Sequence, residues 1–151
     1  MEEAKKQLES LNSKVDSTLA SVISQLTQEG CDYMKSVVKR STGELSDSIS
    51  STFDESTCTG RISVGSDYAI FVEYGTGIKG ATSPHPNPAP GWVYDSNSHG
   101  TAGWWYFDEK AQKLRWTQGQ PANAFVYKTA QYLKQRAKEL TEKELRVIVN
   151  G

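Results

Sequence analysis

The chain has 151 residues, enough for one domain with a sizeable buried core. Apolar residues make up 36% and charged residues 23%, which is polar for a compact monomer and too apolar for a disordered chain. Seventeen Lys and Arg against eighteen Asp and Glu leave a net charge of -1, so no general basic excess drives the chain onto nucleic acid or an anionic membrane.

Cys31 and Cys58 lie far apart, and neither has a second cysteine or a histidine at metal-ligand spacing. Two free, buried thiols in a reducing compartment is the reading, with Cys31 in a helix and Cys58 in a strand or turn. The sequence is charged and polar from Glu2 onward, with no visible signal peptide and no apolar run near the ~18 residues that span a bilayer. The expectation is a soluble protein made in the cytoplasm.

Residues 1–39 read as a helical segment. Leu8, Leu11, Val15, Leu19, Val22, Ile23 and Leu26 recur at three- and four-residue steps, and Tyr33, Met34, Val37 and Val38 resume the stripe. Gly30 costs about 1 kcal/mol relative to Ala inside a helix, which predicts a kink or break there. The first part of this helix is sparsely apolar, as for a helix resting on a neighbouring subunit. Ser41-Thr42-Gly43 then breaks it, and Gly43–Ile49 forms a further helical turn with Leu45 and Ile49 inward. Alternation around Phe53, then around Ile62 and Val64, with turn residues Asp54–Thr57 between, predicts a β-hairpin.

Asp67–Gly77 is the strongest apolar run of the middle of the chain, and it ends in Gly75-Thr76-Gly77. Its β-branched and aromatic content favours a strand, while its flanks favour a helix. Asp67 suits an N-cap and Gly75 the left-handed position that ends a helix. We read it as a short central helix, with Tyr68, Ala69, Phe71 and Val72 anchoring the core. Residues 75–103 read as a long loop, extended through Pro84–Pro90. Trp104–Phe107 and Leu114–Thr117 flank a polar turn as a second hairpin, in which Trp105 and Phe107 pair across with Leu114 and Trp116. Residues 121–144 read as a C-terminal helix starting near Pro121, with Val147–Val149 as frayed helix or edge strand.

No motif carries recognisable catalysis. His85 and His99 read as solvated loop histidines, with no ligand at metal spacing beside them. There is no Gly-x-Ser-x-Gly elbow, and Gly75-Thr76-Gly77 continues without the spacing of a phosphate-binding loop. Glu73 is the one charge inside the central run. It either points outward or pairs with an Arg of its own chain, or it forms an intersubunit salt bridge; no second carboxylate or base is placed to make it a catalytic acid. Trp92, Tyr94, Trp104, Trp105, Tyr106, Phe107 and Trp116 form either a small core under the loop or a sticky surface. No metal or cofactor is expected.

Three stretches, in order, resemble the small head–tail joining proteins of long-tailed bacteriophages, the tail-completion or neck proteins. They are Thr42-Gly43-Glu44-Leu45-Ser46-Asp47-Ser48-Ile49 after a long helix, then Val64–Ala69 with Val72-Glu73-Tyr74-Gly75-Thr76-Gly77. The third is Gly103–Tyr106 through Trp116–Pro121 to Ala124-Phe125-Val126. Ser41 stands where an Arg often precedes Thr-Gly, and Ala124-Phe125-Val126 replaces Pro-Phe-Leu. The likeness covers roughly residues 15–140.

The resemblance implies an α+β fold: a small antiparallel sheet packed by a long N-terminal helix, a short central helix and a long C-terminal helix. It implies a non-enzymatic virion protein, a homo-oligomeric ring of six or twelve copies at the head–tail interface, assembled in the host cytoplasm. Its partners would be the head connector or head-closure protein and the tail terminator or tube protein, with DNA passing through without sequence-specific contact and no membrane. The candidate interaction residues are Glu73, Tyr74, Gly75, Thr76, Gly77, Trp92, Trp104, Trp105 and Trp116. Two alternatives are a tail terminator ring, and a glycan- or nucleic-acid-binding module built on the tryptophans.

Overall fold

The computed structural model describes residues 1–38, 43–95 and 97–150. In chain order the elements are α1 (Glu2–Val37), α2 (Glu44–Asp47), β1 (Ile49–Asp54), β2 (Thr59–Val64), α3 (Ala69–Tyr74), α4 (Gly77–Thr82), β3 (Trp104–Asp108), β4 (Lys113–Thr117) and α5 (Phe125–Asn150). The class is α+β. The strands form two separate antiparallel pairs, β1–β2 and β3–β4, in place of one small sheet.

The spine is α1 against α5, running antiparallel. Glu29 meets Arg136, Tyr33 stacks on Tyr132 with ring centroids 4.2 Å apart, and Val15 and Leu19 line one groove with Leu145 and Ile148. The helix runs unbroken through Gly30, whose missing Cβ serves packing. A Cβ there would lie 2.9 Å from both Cδ atoms of Leu133 and 2.8 Å from Cδ1 of Ile62. Gly30 is where α5 and β2 close on α1, and that contact outweighs the propensity cost.

The core lies at the other end of this pair. Phe125, fully buried at the start of α5, is surrounded by Cys31, Met34 and Val38, by Leu45 of α2, by Ile49 of β1 and by Val72 of α3. The first hairpin is registered Ile49↔Val64 through Asp54↔Thr59. Its turn is held by the Asp54 carboxylate, which accepts from the Ser56 hydroxyl, the Ser56 amide and the Thr57 amide. Those donors hold Asp54 below the usual carboxylate range.

Several sequence expectations need correction. Asp67 is exposed and caps nothing; the chain makes a turn first, with the Ala69 amide donating to the Ser66 carbonyl, and Tyr68 takes the N-cap position. Of the four expected anchors, Val72 is buried and Ala69 packs on the core, while Tyr68 and Phe71 stay exposed. Cys58 is only half-buried. The loop expected over 75–103 contains α4, whose two glycines hide it from propensity. Tertiary hydrogen bonds hold it: the Gly77 amide donates to the Tyr94 carbonyl at 2.6 Å and the Lys79 amide to the Gln118 carbonyl at 3.2 Å. The last helix starts at Phe125, four residues past Pro121, and stays helical through Val147–Val149. The expected end of the first helix at Lys39 and its break at Ser41 and Thr42 lie outside the described residues.

At ~1.5 Å per residue α1 is about 54 Å long. Since Val15 is level with Ile148, its first three turns have no partner element among the described residues, and Leu8, Leu11, Val15 and Leu19 are all exposed.

The α1–α5 pair carries a charged clasp. Arg136 donates from Nε to Glu29 Oε2 at 2.9 Å and from Nη2 to Glu29 Oε1 at 3.2 Å, and it also bonds Glu139 at 2.7 Å. The Arg136 bond, then that from Gln25, holds the Glu29 carboxyl below its ordinary 4.5. Folding thus lowers this pKa, so the clasp contributes fully above about 4.5 and is lost as pH falls through the lower folded value. Arg136→Leu should lower stability slightly at neutral pH, measured by chemical denaturation. The difference between the two chains should shrink on acidification below that range.

Candidate functional site: a buried glutamate hub and an exposed aromatic hairpin

Two features surround the Gly75–Gly77 stretch. One is internal. Glu73, on the inner face of α3, is among the few buried charged residues, and its carboxylate collects three donors. The Val126 amide donates to Oε2 at 2.8 Å, the Tyr127 amide to Oε1 at 3.0 Å, and His85 Nε2 lies 2.9 Å from Oε1. The Asn87 amide donates to His85 Nδ1 at 3.0 Å, which places the imidazole proton on Nε2, facing Glu73. Tyr74 and Tyr127 pack against that ring, at centroid distances of 4.8 and 5.4 Å.

Glu73 therefore caps the N-terminus of the 26-residue α5 from more than fifty residues upstream. The free amides and the positive end of the helix dipole stabilise the charge, and three donors offset its desolvation. The carboxylate expected to reach a neighbouring subunit is turned inward. His85, expected to be solvated, is buried beside it. Twelve residues separate the two in sequence, so no local spacing pointed to the pair.

Gly75, Thr76 and Gly77 form a backbone crossing. The Thr76 amide donates to the Gln120 carbonyl at 2.9 Å, and the Gln120 amide returns the bond to Thr76 at 3.0 Å. Gly75 has φ +82, and a Cβ on it would lie 2.7 Å from the Ala122 nitrogen and 2.8 Å from the Gln120 oxygen. Only glycine fits where two chain segments touch main chain to main chain.

The second feature is external. Strands β3 and β4 pair as the expected hairpin, in the register Trp105↔Trp116 and Phe107↔Leu114, with the two indoles edge to face at 5.6 Å. Those four side chains share one face of the hairpin, and all four are exposed. The other face carries Tyr106 and the Arg115–Asp108 ion pair at 2.8 Å, and it looks across a cleft at Tyr68 and Glu44. The Ala111 amide and then Arg115 hold Asp108 below the usual carboxylate range. The tip leans toward α2 through Lys110–Glu44 at 3.3 Å, an exposed pair of small energetic weight.

The tryptophans therefore divide. Trp92 packs inward on Phe71 and Tyr74, with its indole nitrogen buried and unpartnered among the described residues. Trp104 stacks on His99 at 4.3 Å. His99, also expected to be solvated, is held by Asp95, whose carboxylate accepts from the His99 and Gly100 amides and is held below its usual range by them. Trp105 and Trp116 face outward. The packed and the exposed tryptophans are different residues.

Among the described residues no group of three or more His, Cys, Asp or Glu side chains could hold a metal, and no helix is long and apolar enough to cross a membrane. A family model named HK97-gp10-like, described as "Bacteriophage HK97-gp10, putative tail-component", matches residues 2–75. The matched stretch is just under half of the chain. The tail-component match takes in α1, both strands of the first hairpin and α3 with Glu73, and it ends at Gly75, before the aromatic hairpin. No curated protein and no solved structure matches the chain.

Glu73→Ala leaves two helix amides and His85 without an acceptor in a buried site, and should cost about 2–3 kcal/mol in chemical denaturation. Glu73→Gln, which keeps an oxygen acceptor, should cost clearly less. Gly75→Ala should cost about 1–3 kcal/mol from backbone strain, with further loss from the two close contacts. Equal stability of Gly75→Ala and the natural chain would contradict the crossing.

Proposed function

We propose that this tail component is a ring-forming neck subunit, one domain over 1–151, that joins the head connector to the tail. The observation that carries the reading is the overhang of α1. A regular apolar stripe runs from Leu8 and Leu11, which lie past α5 with no partner element among the described residues, to Val15 and Leu19, which border α5 and are still exposed. A stripe at helical spacing is what a helix offers to another subunit. The exposed face of β3–β4 is a second such surface at the other side of the chain. A net charge of -1 suits a channel wall that DNA passes without being held, since every basic residue beyond balance adds salt-dependent phosphate affinity.

On this reading the contacts are made by the α1 stripe and by Trp105 and Trp116. Glu73, Gly75 and Gly77 shape the scaffold from which they project. No catalysis is assigned. Six or twelve copies would lie between the connector and the tail, in the virion.

Particles that lack the chain should have filled heads and detached tails in electron micrographs. Leu8→Asp with Leu11→Asp, exposed and so without effect on the monomer's circular dichroism, should reproduce that defect. Normal attached tails in either case would end this reading. Binding to the tube protein, with none to the connector, would move the chain one ring down, to the tail terminator.

A further inference from the structure

We infer that the apolar face of the β3–β4 hairpin docks into the groove between α1, α5 and β2 of a second copy of this chain. The inference rests on the ring reading above and names the contact that would build the ring.

The hairpin face requires a cover. Trp105, Phe107, Leu114 and Trp116 are 63, 53, 63 and 48% exposed, and they are contiguous on one side of a two-stranded ribbon. A ribbon of two strands is marginal in water until a third strand or a packed surface covers one side. Four large apolar side chains on a single face form a patch of the kind found at interfaces, with aromatic residues as its anchors.

The groove is the matching surface. It is about 530 Å³, lined by Ile23, Leu26, Met34, Ile62, Leu133 and Ala137 among others. The hydroxyls of its lining are already satisfied within the chain. Thr27 donates its hydroxyl to the Ile23 carbonyl at 2.7 Å, and Thr129 donates to the Phe125 carbonyl at 2.7 Å. Among the described residues the Lys134 ammonium is the one polar side-chain group of the lining left without a bond, so the groove selects apolar side chains together with one negative charge. Gly60 deepens it: a Cβ there would collide with Thr27.

Charge fits the same pairing. The groove's one charged lining residue is Lys134, and Glu109 stands at the hairpin tip. Among the described residues neither has an ion-pair partner, whereas the tip's Asp108 and Lys110 are each engaged within the chain. A hairpin seated in the groove brings Glu109 to the Lys134 side. The hairpin does not fill its own groove, since its tip is turned to α2 by Lys110–Glu44 and no residue of α2 lines the groove.

Because face and groove are different parts of one chain, each copy gives one contact and receives one. Such a heterologous contact propagates and closes into a ring when the rotation permits. Pairing of two hairpin faces would stop at a dimer.

The test is disulfide trapping between copies. Trp105→Cys and Ala130→Cys, both at exposed positions, are placed together in a Cys58→Ser chain, with Cys31 left buried. Mild oxidation is applied to the concentrated chain and to assembled particles. A ladder of cross-linked multimers on non-reducing gels is expected. Ala130→Trp, which fills the groove from an exposed helix position, should cut cross-linking of a Trp105→Cys chain to a Leu26→Cys chain at least tenfold. Circular dichroism identical to the natural chain shows that it folds.

Three results overturn the inference: no cross-link in solution or in particles, cross-links only between two Trp105→Cys chains, or cross-links only to a connector or tube protein. The two proposals separate cleanly. No ladder, in particles that need the chain to hold their tails, leaves the neck role and removes this contact. A ladder from a chain whose loss leaves tails attached keeps the contact and removes the neck role.

Discussion

The carboxylate of Glu73 is the interaction on which the arrangement of the chain depends. It joins three separate segments: α5 donates two amides, the 83–103 stretch contributes His85, and α3 carries the accepting carboxylate. The start of α5 has no Ser, Thr or Asp of its own to cap it; the preceding residues are Asn123 and Ala124, which donate their amides to the carbonyls of Val72 and Glu73. The last helix is therefore aimed by α3. A buried charge is unfavourable unless its hydrogen bonds are complete, and here the helix end and the imidazole complete them.

From that hub the geometry runs outward in one direction. One residue beyond α3 the chain crosses the 118–122 segment, backbone against backbone, and it enters α4 with the Gly77 amide bonded to Tyr94. The crossing fixes both the start of the long loop and the exit of β4. A Cβ on Gly77 would lie 2.9 Å from the Trp104 ring, so the base of the second hairpin rests directly on this crossing. The exposed face of Trp105 and Trp116 is thus presented from a rigid root, although among the described residues the hairpin borders no other strand. Rigidity at the root lowers the ordering cost of a later contact.

Elements with a strong local period were legible in the sequence. The stripe of α1, the pairing of Trp105 with Trp116 and the turn at Asp54 all follow from spacing and turn chemistry. What failed depended on distance. Glu73 read as a charge looking for a partner, and its partners lie 12 and 53 or more residues away. His85 read as solvated because nothing beside it in sequence bonds it. Two glycines hid α4, and Asp67, a good capping residue by type, was bypassed because a turn comes first. At Gly30 the propensity argument pointed to a kink, when the absent side chain is what lets Leu133 and Ile62 approach.

The tail-component match stops at Gly75, yet the folding unit cannot stop there. Cys31, Met34, Val38, Leu45, Ile49 and Val72 close around Phe125, which lies beyond the matched residues. Without α5 the clasp of Glu29 with Arg136 and the stack of Tyr33 on Tyr132 would be lost, and the core would lose Phe125. The Glu73 cap belongs to both parts, its carboxylate inside the matched half and two of its donors outside. The matched half therefore supplies the frame and the unmatched half its closure. Within the unmatched half lies the hairpin, free to be shaped by whatever surface it meets, because the core makes no demand on its outer face.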